Sequence, residues 1–81
     1  MRLYYTDRFL KDYADAPPTI QRAFDRKAVF LVTNLHHPSL HAKKYNKVED
    51  VWQARISDNW RFYFKIEDDT YYLLKMIPHP K

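Results

Sequence analysis

Residues 51–66 read VWQARISDNWRFYFKI, and the hydrophobic pattern of this stretch decides the fold. On each side of Asp58-Asn59, apolar and polar residues alternate with a period of two. Such alternation is typical of a β-strand with one buried face, and turn-forming residues between two such runs predict a hairpin. We therefore expect two antiparallel strands, at residues 51–57 and 59–66.

The same period assigns each side chain of this hairpin to one face of the sheet. One set is apolar and should face the core: Trp52, Ala54, Ile56, Trp60, Phe62, Phe64 and Ile66. The alternate set should form an open face, which an antiparallel sheet tolerates: Gln53, Arg55, Ser57, Arg61, Tyr63 and Lys65. On a last strand after Asp68-Asp69, parity predicts Leu74 and Met76 in the core. Lys75 should then lie on the open face, as should His79 if the parity continues past Pro78.

In the N-terminal half, the apolar residues recur at helical spacing instead of alternating. Residues 2–5 predict a short strand, and Thr6 is a typical N-cap for a first helix. Pro17-Pro18 must end that helix, because proline lacks an N–H and restricts the residue before it. A second helix follows from Thr19, with apolar residues at the spacing of a core-facing stripe.

These elements predict an α+β fold in one domain, residues 1–81. We expect two N-terminal antiparallel helices packed on a twisted antiparallel sheet of four to five strands, the shortest near residues 43–45. The chain contains no Gly, so Asn and Asp must occupy turn positions that need positive φ.

Composition excludes several classes of protein. The chain has no Cys and no Gly, which excludes disulfide frameworks, thiol enzymes and Gly-rich phosphate loops. Its N-terminus is too charged for a signal peptide, and no apolar run would span a bilayer, so we expect a cytoplasmic protein with no membrane partner. The net charge of +4 favours an acidic partner, and residues 36–65 carry six basic against three acidic side chains.

Three histidines, His36, His37 and His41, do not predict a metal site. Pro38 interrupts any helix that would align them, and no Cys or nearby carboxylate completes a ligand set. We expect neither a metal nor a cofactor.

The open face carries the residue types that can cleave RNA without a metal. A 2′-hydroxyl attacks the adjacent phosphate if one group removes its proton, others stabilise the dianion that forms, and another protonates the leaving oxygen. As cross-strand neighbours, Arg55 and Arg61 would hold one phosphate and stabilise its developing charge. His79 would transfer a proton.

Further residues would extend this site along an RNA strand. We expect Lys43, Lys44 and Lys47 to bind backbone phosphates and Tyr63 to stack on a base. Each also has a plain structural interpretation: a solvated lysine, an aromatic packed across strands, or an arginine lying over aromatic surface.

The combined motifs resemble the RelE/ParE toxin superfamily. They are the His37-Pro38-Ser39-Leu40 segment, the Lys43-Lys44 pair, the Trp-x-Ala-Arg-Ile strand, the Asn-Trp-Arg-Phe-Tyr-Phe strand and a Leu-Leu strand ending near His79. The resemblance implies a toxin of a type II toxin-antitoxin system, and its RelE branch implies a ribosome-dependent mRNA endoribonuclease that arrests translation. The implied partners are a cognate antitoxin, the ribosome and mRNA, with operator DNA bound only through the antitoxin. Functional residues of that branch correspond here to Lys43, Lys44, Arg55, Arg61 and His79.

Other hypotheses stay open at this point. Many relatives have an acidic residue and a Tyr near the end, where this sequence has Pro80-Lys81. One alternative is a non-nuclease member of the superfamily: a ParE-like inhibitor of DNA gyrase, or an attenuated toxin that only binds its antitoxin. A small RNA-binding module is a further alternative, for which strongly salt-dependent affinity without cleavage would be the signature.

Overall fold

A computed structural model describes residues 1–79, so Pro80 and Lys81 lie outside the described residues. Two helices and a short 3-10 helix are inserted between the first strand and the remaining four. The elements in chain order are β1 (Arg2–Tyr5), α1 (Asp7–Asp15), α2 (Pro18–Thr33), the 3-10 helix (Pro38–Leu40), β2 (Lys43–Asn46), β3 (Val51–Ser57), β4 (Trp60–Glu67) and β5 (Thr70–Pro78).

The five strands form one sheet in the order β1-β5-β4-β3-β2. The strands β2 to β5 pair antiparallel, whereas β1 pairs parallel with β5. The predicted α+β fold of two helices on a sheet of four to five strands is confirmed, but the sheet is mixed and not antiparallel throughout as expected, because β1 pairs parallel with β5. The helices separate β1 from the hairpins in sequence, and a connection of that length allows a parallel pairing.

The core lies between the helices and one face of the sheet. Helix α1 packs on β5 and α2 packs on β3. The largest fully buried side chains include four phenylalanines, Phe9, Phe24, Phe62 and Phe64. Phe24 contacts both Phe9 and Phe62, with ring centroids 5.0 and 5.2 Å apart, and so joins the two helices to the sheet. None of the helices in residues 1–79 is long and apolar enough to cross a membrane.

Three β-bulges change the parity of the sheet. The register shifts place one extra residue at Tyr45 in β2, at Ile56 in β3 and at Leu74 in β5. The prediction that Leu74 faces the core is therefore wrong: Leu73 is fully buried and Leu74 is only partly buried. Met76 lies in the core as predicted.

The turns confirm the expected use of Asp in a chain without Gly. Asp50 and Asp68 have φ values of 59° and 53°, in the left-handed region. His41, with φ of 47°, was not expected there. It follows the 3-10 helix and turns the chain towards β2.

Thr6 links the start of α1 to the sheet. Its Oγ1 accepts a hydrogen bond from the Phe9 backbone N–H (3.3 Å) and donates one to the carbonyl oxygen of Leu73 (2.7 Å). The predicted N-cap thus also fixes α1 against β5.

We predict that Thr6→Ala lowers the free energy of unfolding by about 1–2 kcal/mol, because the cap and the bond to β5 are lost together. Urea denaturation measures this change. The control is Thr19→Ala, an exposed threonine in the first turn of α2, which should change stability by less than about 0.5 kcal/mol. Equal effects of the two substitutions would contradict the role of Thr6.

Candidate active site

Arg55 and Arg61 are direct cross-strand partners in the hairpin of β3 and β4. Side chains in such a position have Cβ atoms about 4.5–5.5 Å apart, so their guanidinium groups can reach a common anion. The bulge at Ile56 lies immediately beside this pair. Bulges of this kind re-aim side chains next to functional sites.

Both arginines line a cavity of about 340 Å³ at the end of the open face. Other side chains contribute further cations and imidazoles to its wall. The lining residues are His41, Ala42, Lys43, Gln53, Ala54, Arg55, Arg61 and His79. Of the predicted site residues, the structure therefore brings together Arg55, Arg61, His79 and Lys43.

The hairpin turn holds the Arg61 side chain. Its Nη1 donates hydrogen bonds to the carbonyl oxygens of Ser57 (2.7 Å), Asp58 (3.2 Å) and Trp60 (3.0 Å). Within residues 1–79, the hydrogen bonds of this side chain all come from Nη1. Its other two nitrogens can bind a ligand while the group stays fixed, which is the preorganisation that charge stabilisation requires.

Arg55 has unused hydrogen-bonding capacity. Its Nη1 lies 4.0 Å from Asp58 Oδ1, a weak ion pair with an almost fully exposed carboxylate. Its Nε is buried and has no hydrogen-bond partner within the described residues. Buried donors are nearly always paired, so an unpaired donor beside a cavity is consistent with a site for an anion.

The backbone places His79 beside the same hairpin. Its N–H donates to the carbonyl oxygen of Asn59 at 2.6 Å, one step beyond the end of β5. The imidazole is exposed at the cavity wall, as the predicted parity implied.

His41 is a cavity residue that sequence reasoning considered only as a metal ligand. It follows the fully buried Leu40, and its left-handed backbone directs the chain into the cavity wall. Lys27 of α2 supports this segment, because its Nζ donates to the carbonyl oxygen of Ser39 at 3.1 Å. The sequence shows that His41 lies between Leu40 and Lys43, which could have suggested a position near the site. It does not show the 3-10 helix at Pro38–Leu40, which places His41 at the cavity.

The three histidines considered for a metal have separate surroundings. His37 stacks on Phe30, with centroids 3.8 Å apart, and its Nδ1 accepts from the backbone N–H of Ser39. His36 is exposed. Among residues 1–79, no group of three or more His, Cys, Asp or Glu is placed to hold a metal ion.

The three predicted lysines divide between two faces and a turn. Lys43 pairs with Gln53 and lies at the cavity. Lys44, one residue on, points to the other face, where it pairs with Asp50 and lies over the Trp52 ring. Lys47 is exposed in the turn after β2 and is not part of the cavity wall. The structure thus does not bring Lys44 and Lys47 to the arginines.

Tyr63 lies on the open face, as predicted, but is only 5% exposed. Its hydroxyl accepts from Gln53 Nε2 at 2.9 Å, Lys75 Nζ lies 4.8 Å from its ring centroid, and Tyr45 contacts its ring edge-on. Stacking of a base on Tyr63 would require Lys75 to move. The neighbouring Tyr45 is 58% exposed and needs no such movement.

A further cation lies beneath the site. Burial lowers the pKa of Lys27 below its ordinary value, and the positive charges of Arg26 and Arg55 lower it further. The Lys27 ammonium group is thus close enough to Arg55 to interact with it electrostatically and adds to the positive potential around Arg55. Such a potential favours a phosphate group.

The comparisons with known proteins establish the fold. No protein-family model and no curated protein matches the sequence. A YoeB/ParE toxin from Agrobacterium tumefaciens has a TM-score of 0.79 at 12% identity, covering 99% of this chain and 100% of that one. A chain of the DinJ-YafQ toxin-antitoxin complex from E. coli has a TM-score of 0.78 at 13% identity (95% and 90% covered).

An archaeal RelE-RelB complex from Pyrococcus horikoshii contains a chain with a TM-score of 0.74 at 18% identity, covering 95% of this chain and 92% of that one. The fold that the sequence resemblance implied is thus confirmed: this chain has the fold of RelE, YafQ and ParE-like toxins. At these identities the similarity concerns the fold, and the site has to be argued from this chain's own residues.

We predict that inorganic phosphate raises the melting temperature by several degrees relative to sodium chloride at equal ionic strength. A ligand that binds only the folded state stabilises it by mass action. Phosphate also stabilises folded proteins non-specifically, so Arg55→Ala should reduce this rise to that non-specific part. Arg2→Ala is the matched control, because Arg2 is an exposed arginine on β1 at the far edge of the sheet. A rise in Arg55→Ala as large as in the wild type and in Arg2→Ala would contradict anion binding at the cavity.

Proposed function

We propose that this protein is the toxin of a type II toxin-antitoxin system and arrests translation by cutting mRNA on the ribosome. The observation that carries the proposal is the convergence of two paired arginines and two imidazoles on one cavity. The similarity to the fold of toxins solved with their antitoxins supports a toxin role and an antitoxin partner.

The chemistry follows from the groups at the cavity. One imidazole, His41 or His79, removes the proton of the 2′-hydroxyl, and the 2′-oxygen forms a bond to the adjacent phosphorus. Arg55 and Arg61 stabilise the dianion that forms, by charge-assisted hydrogen bonds. The bond from phosphorus to the 5′-oxygen breaks, and the other imidazole protonates that oxygen. The products are a 2′,3′-cyclic phosphate and a free 5′-hydroxyl.

No step of this reaction requires a metal, since imidazole exchanges protons near neutral pH and the guanidinium groups supply the positive charge. Lys43 would bind a neighbouring backbone phosphate from its place on the cavity wall. Lys44 and Lys47 would contact phosphates outside the cavity.

The proposed antitoxin neutralises this site by bringing acidic groups to the basic cavity and covering apolar surface with a helix or an added strand. Operator DNA would be bound only through the antitoxin. The ribosome and mRNA as targets imply action in the cytoplasm.

We predict that Arg61→Ala lowers the rate of ribosome-dependent mRNA cleavage about 100-fold or more, because a fixed charge donor to the transition state is lost. The assay incubates purified protein with programmed ribosomes and maps the cut ends. Arg61 also supports the hairpin turn, so Arg55→Ala, which loses no turn hydrogen bond, should show a similar defect.

The control is again Arg2→Ala, which should cut mRNA at the wild-type rate. Full cleavage by folded Arg55→Ala and Arg61→Ala would contradict the phosphate role of the pair. Inhibition of gyrase supercoiling without RNA cleavage would instead establish the ParE-like alternative.

A further inference from the structure

A row of four cross-strand partners divides the open face of the sheet. Lys43 pairs with Gln53, Gln53 with Tyr63, and Tyr63 with Lys75. The arginine cavity lies on one side of this row. A second cavity, of about 250 Å³, lies on the other side. The hydrogen bond from Gln53 to Tyr63 joins their walls, so the two cavities are adjacent along one surface.

Bulges form two walls of the second cavity. Tyr45 and Leu74, the extra residues of β2 and β5, both line it, together with Val51. These side chains provide an aromatic ring and aliphatic surface on which a planar group can lie. Without the bulge in β5, period two would direct Leu74 to the core, whereas Tyr45 shares the parity of Lys43 and faces the open side in either case.

The rim of this cavity carries opposite charges. Lys75 lies over Tyr63, and Glu49 projects from the turn between β2 and β3. The Glu49 backbone N–H donates to Asn46 Oδ1 at 3.0 Å, which fixes this turn. Within the described part of the chain, the Glu49 carboxylate makes no ion pair or hydrogen bond, so it is available to a ligand.

We propose that the second cavity binds the base of a nucleotide adjacent to the scissile phosphate and selects guanine. The inference rests on the proposed function, because the RNA strand that enters the arginine cavity would carry a neighbouring base across the row to Tyr45. Single-stranded RNA is read in this way, by stacking on aromatic side chains and hydrogen bonds to the edge of the base.

The carboxylate of Glu49 determines the choice of base. Guanine presents two adjacent donors, its N1–H and N2 amino group, which match the two oxygens of a carboxylate. Adenine and cytosine present one donor beside an acceptor nitrogen, and uracil presents one donor between two carbonyl oxygens. A carboxylate is repelled by those acceptors, so the other three bases bind less tightly.

The test measures binding of short uridine-rich oligonucleotides with one variable central base. All riboses carry 2′-O-methyl groups, so no cleavage can occur, and fluorescence anisotropy gives each Kd. The wild-type protein should bind the guanine oligonucleotide about tenfold more tightly than the all-uridine one. Glu49→Gln should lose this preference, because an amide both donates and accepts and can therefore pair with a donor and an acceptor on the edge of any base. Tyr45→Ala should weaken binding of every base.

Glu67→Gln is the matched control, since Glu67 is an exposed glutamate at the end of β4, outside both cavities. It should leave the guanine preference unchanged. An unchanged preference in Glu49→Gln, equal affinity for all four oligonucleotides, or no measurable binding would overturn the inference. A Glu49-dependent guanine preference in a protein that does not cut mRNA would support the base site and refute the nuclease. Ribosome-dependent mRNA cleavage by a protein without that preference would support the nuclease activity and refute the base site.

Discussion

The direct pairing of Arg55 with Arg61 is the constraint on which the site depends. Like charges in directly opposed positions of a sheet are destabilising, so the positive charges of the two arginines disfavour this register of β3 and β4. The surrounding packing holds it in place: Ala54, Ile56 and Phe62, next to the arginines in β3 and β4, are almost fully buried. An anion between the guanidinium groups would remove the repulsion, so the site is arranged to be most stable when occupied.

Contacts from outside the hairpin bring the remaining groups to the arginines. Thr6 ties α1 to β5, the strand that ends beside His79, and the His79 backbone bonds to the hairpin turn. Lys27 holds the carbonyl of Ser39 and thereby the segment that carries His41. The helices therefore serve the site in two ways: they bury one face of the sheet, and they fix the loop and the strand end at the cavity.

Period two in residues 51–66 predicted the hairpin, its buried face and the shared face of Arg55 and Arg61, but not the bulge at Ile56, which pairs Ser57, expected on the open face, with Trp60 on the buried face. It failed at Leu74, because a bulge in β5 is set by the pairing with β4 and not by the sequence of β5 alone. His41 was missed as a site residue for a related reason. Its position depends on a 3-10 helix and on its own left-handed backbone, and a hydrophobic pattern predicts neither of them. For Lys44, in contrast, period two gives the correct answer: it places Lys44 on the face opposite to Lys43, although both lysines were predicted at one site.

A crystal structure of the protein with a non-cleavable dinucleotide, in which the attacking 2′-hydroxyl is replaced by hydrogen, tests the central claim most directly. The phosphate should lie between the two guanidinium groups, with oxygens within about 3 Å of nitrogens of both Arg55 and Arg61. At least one imidazole, of His41 or His79, should lie near the 2′ position or the 5′-oxygen. A phosphate bound elsewhere, or guanidinium groups that point apart in the complex, would contradict the account.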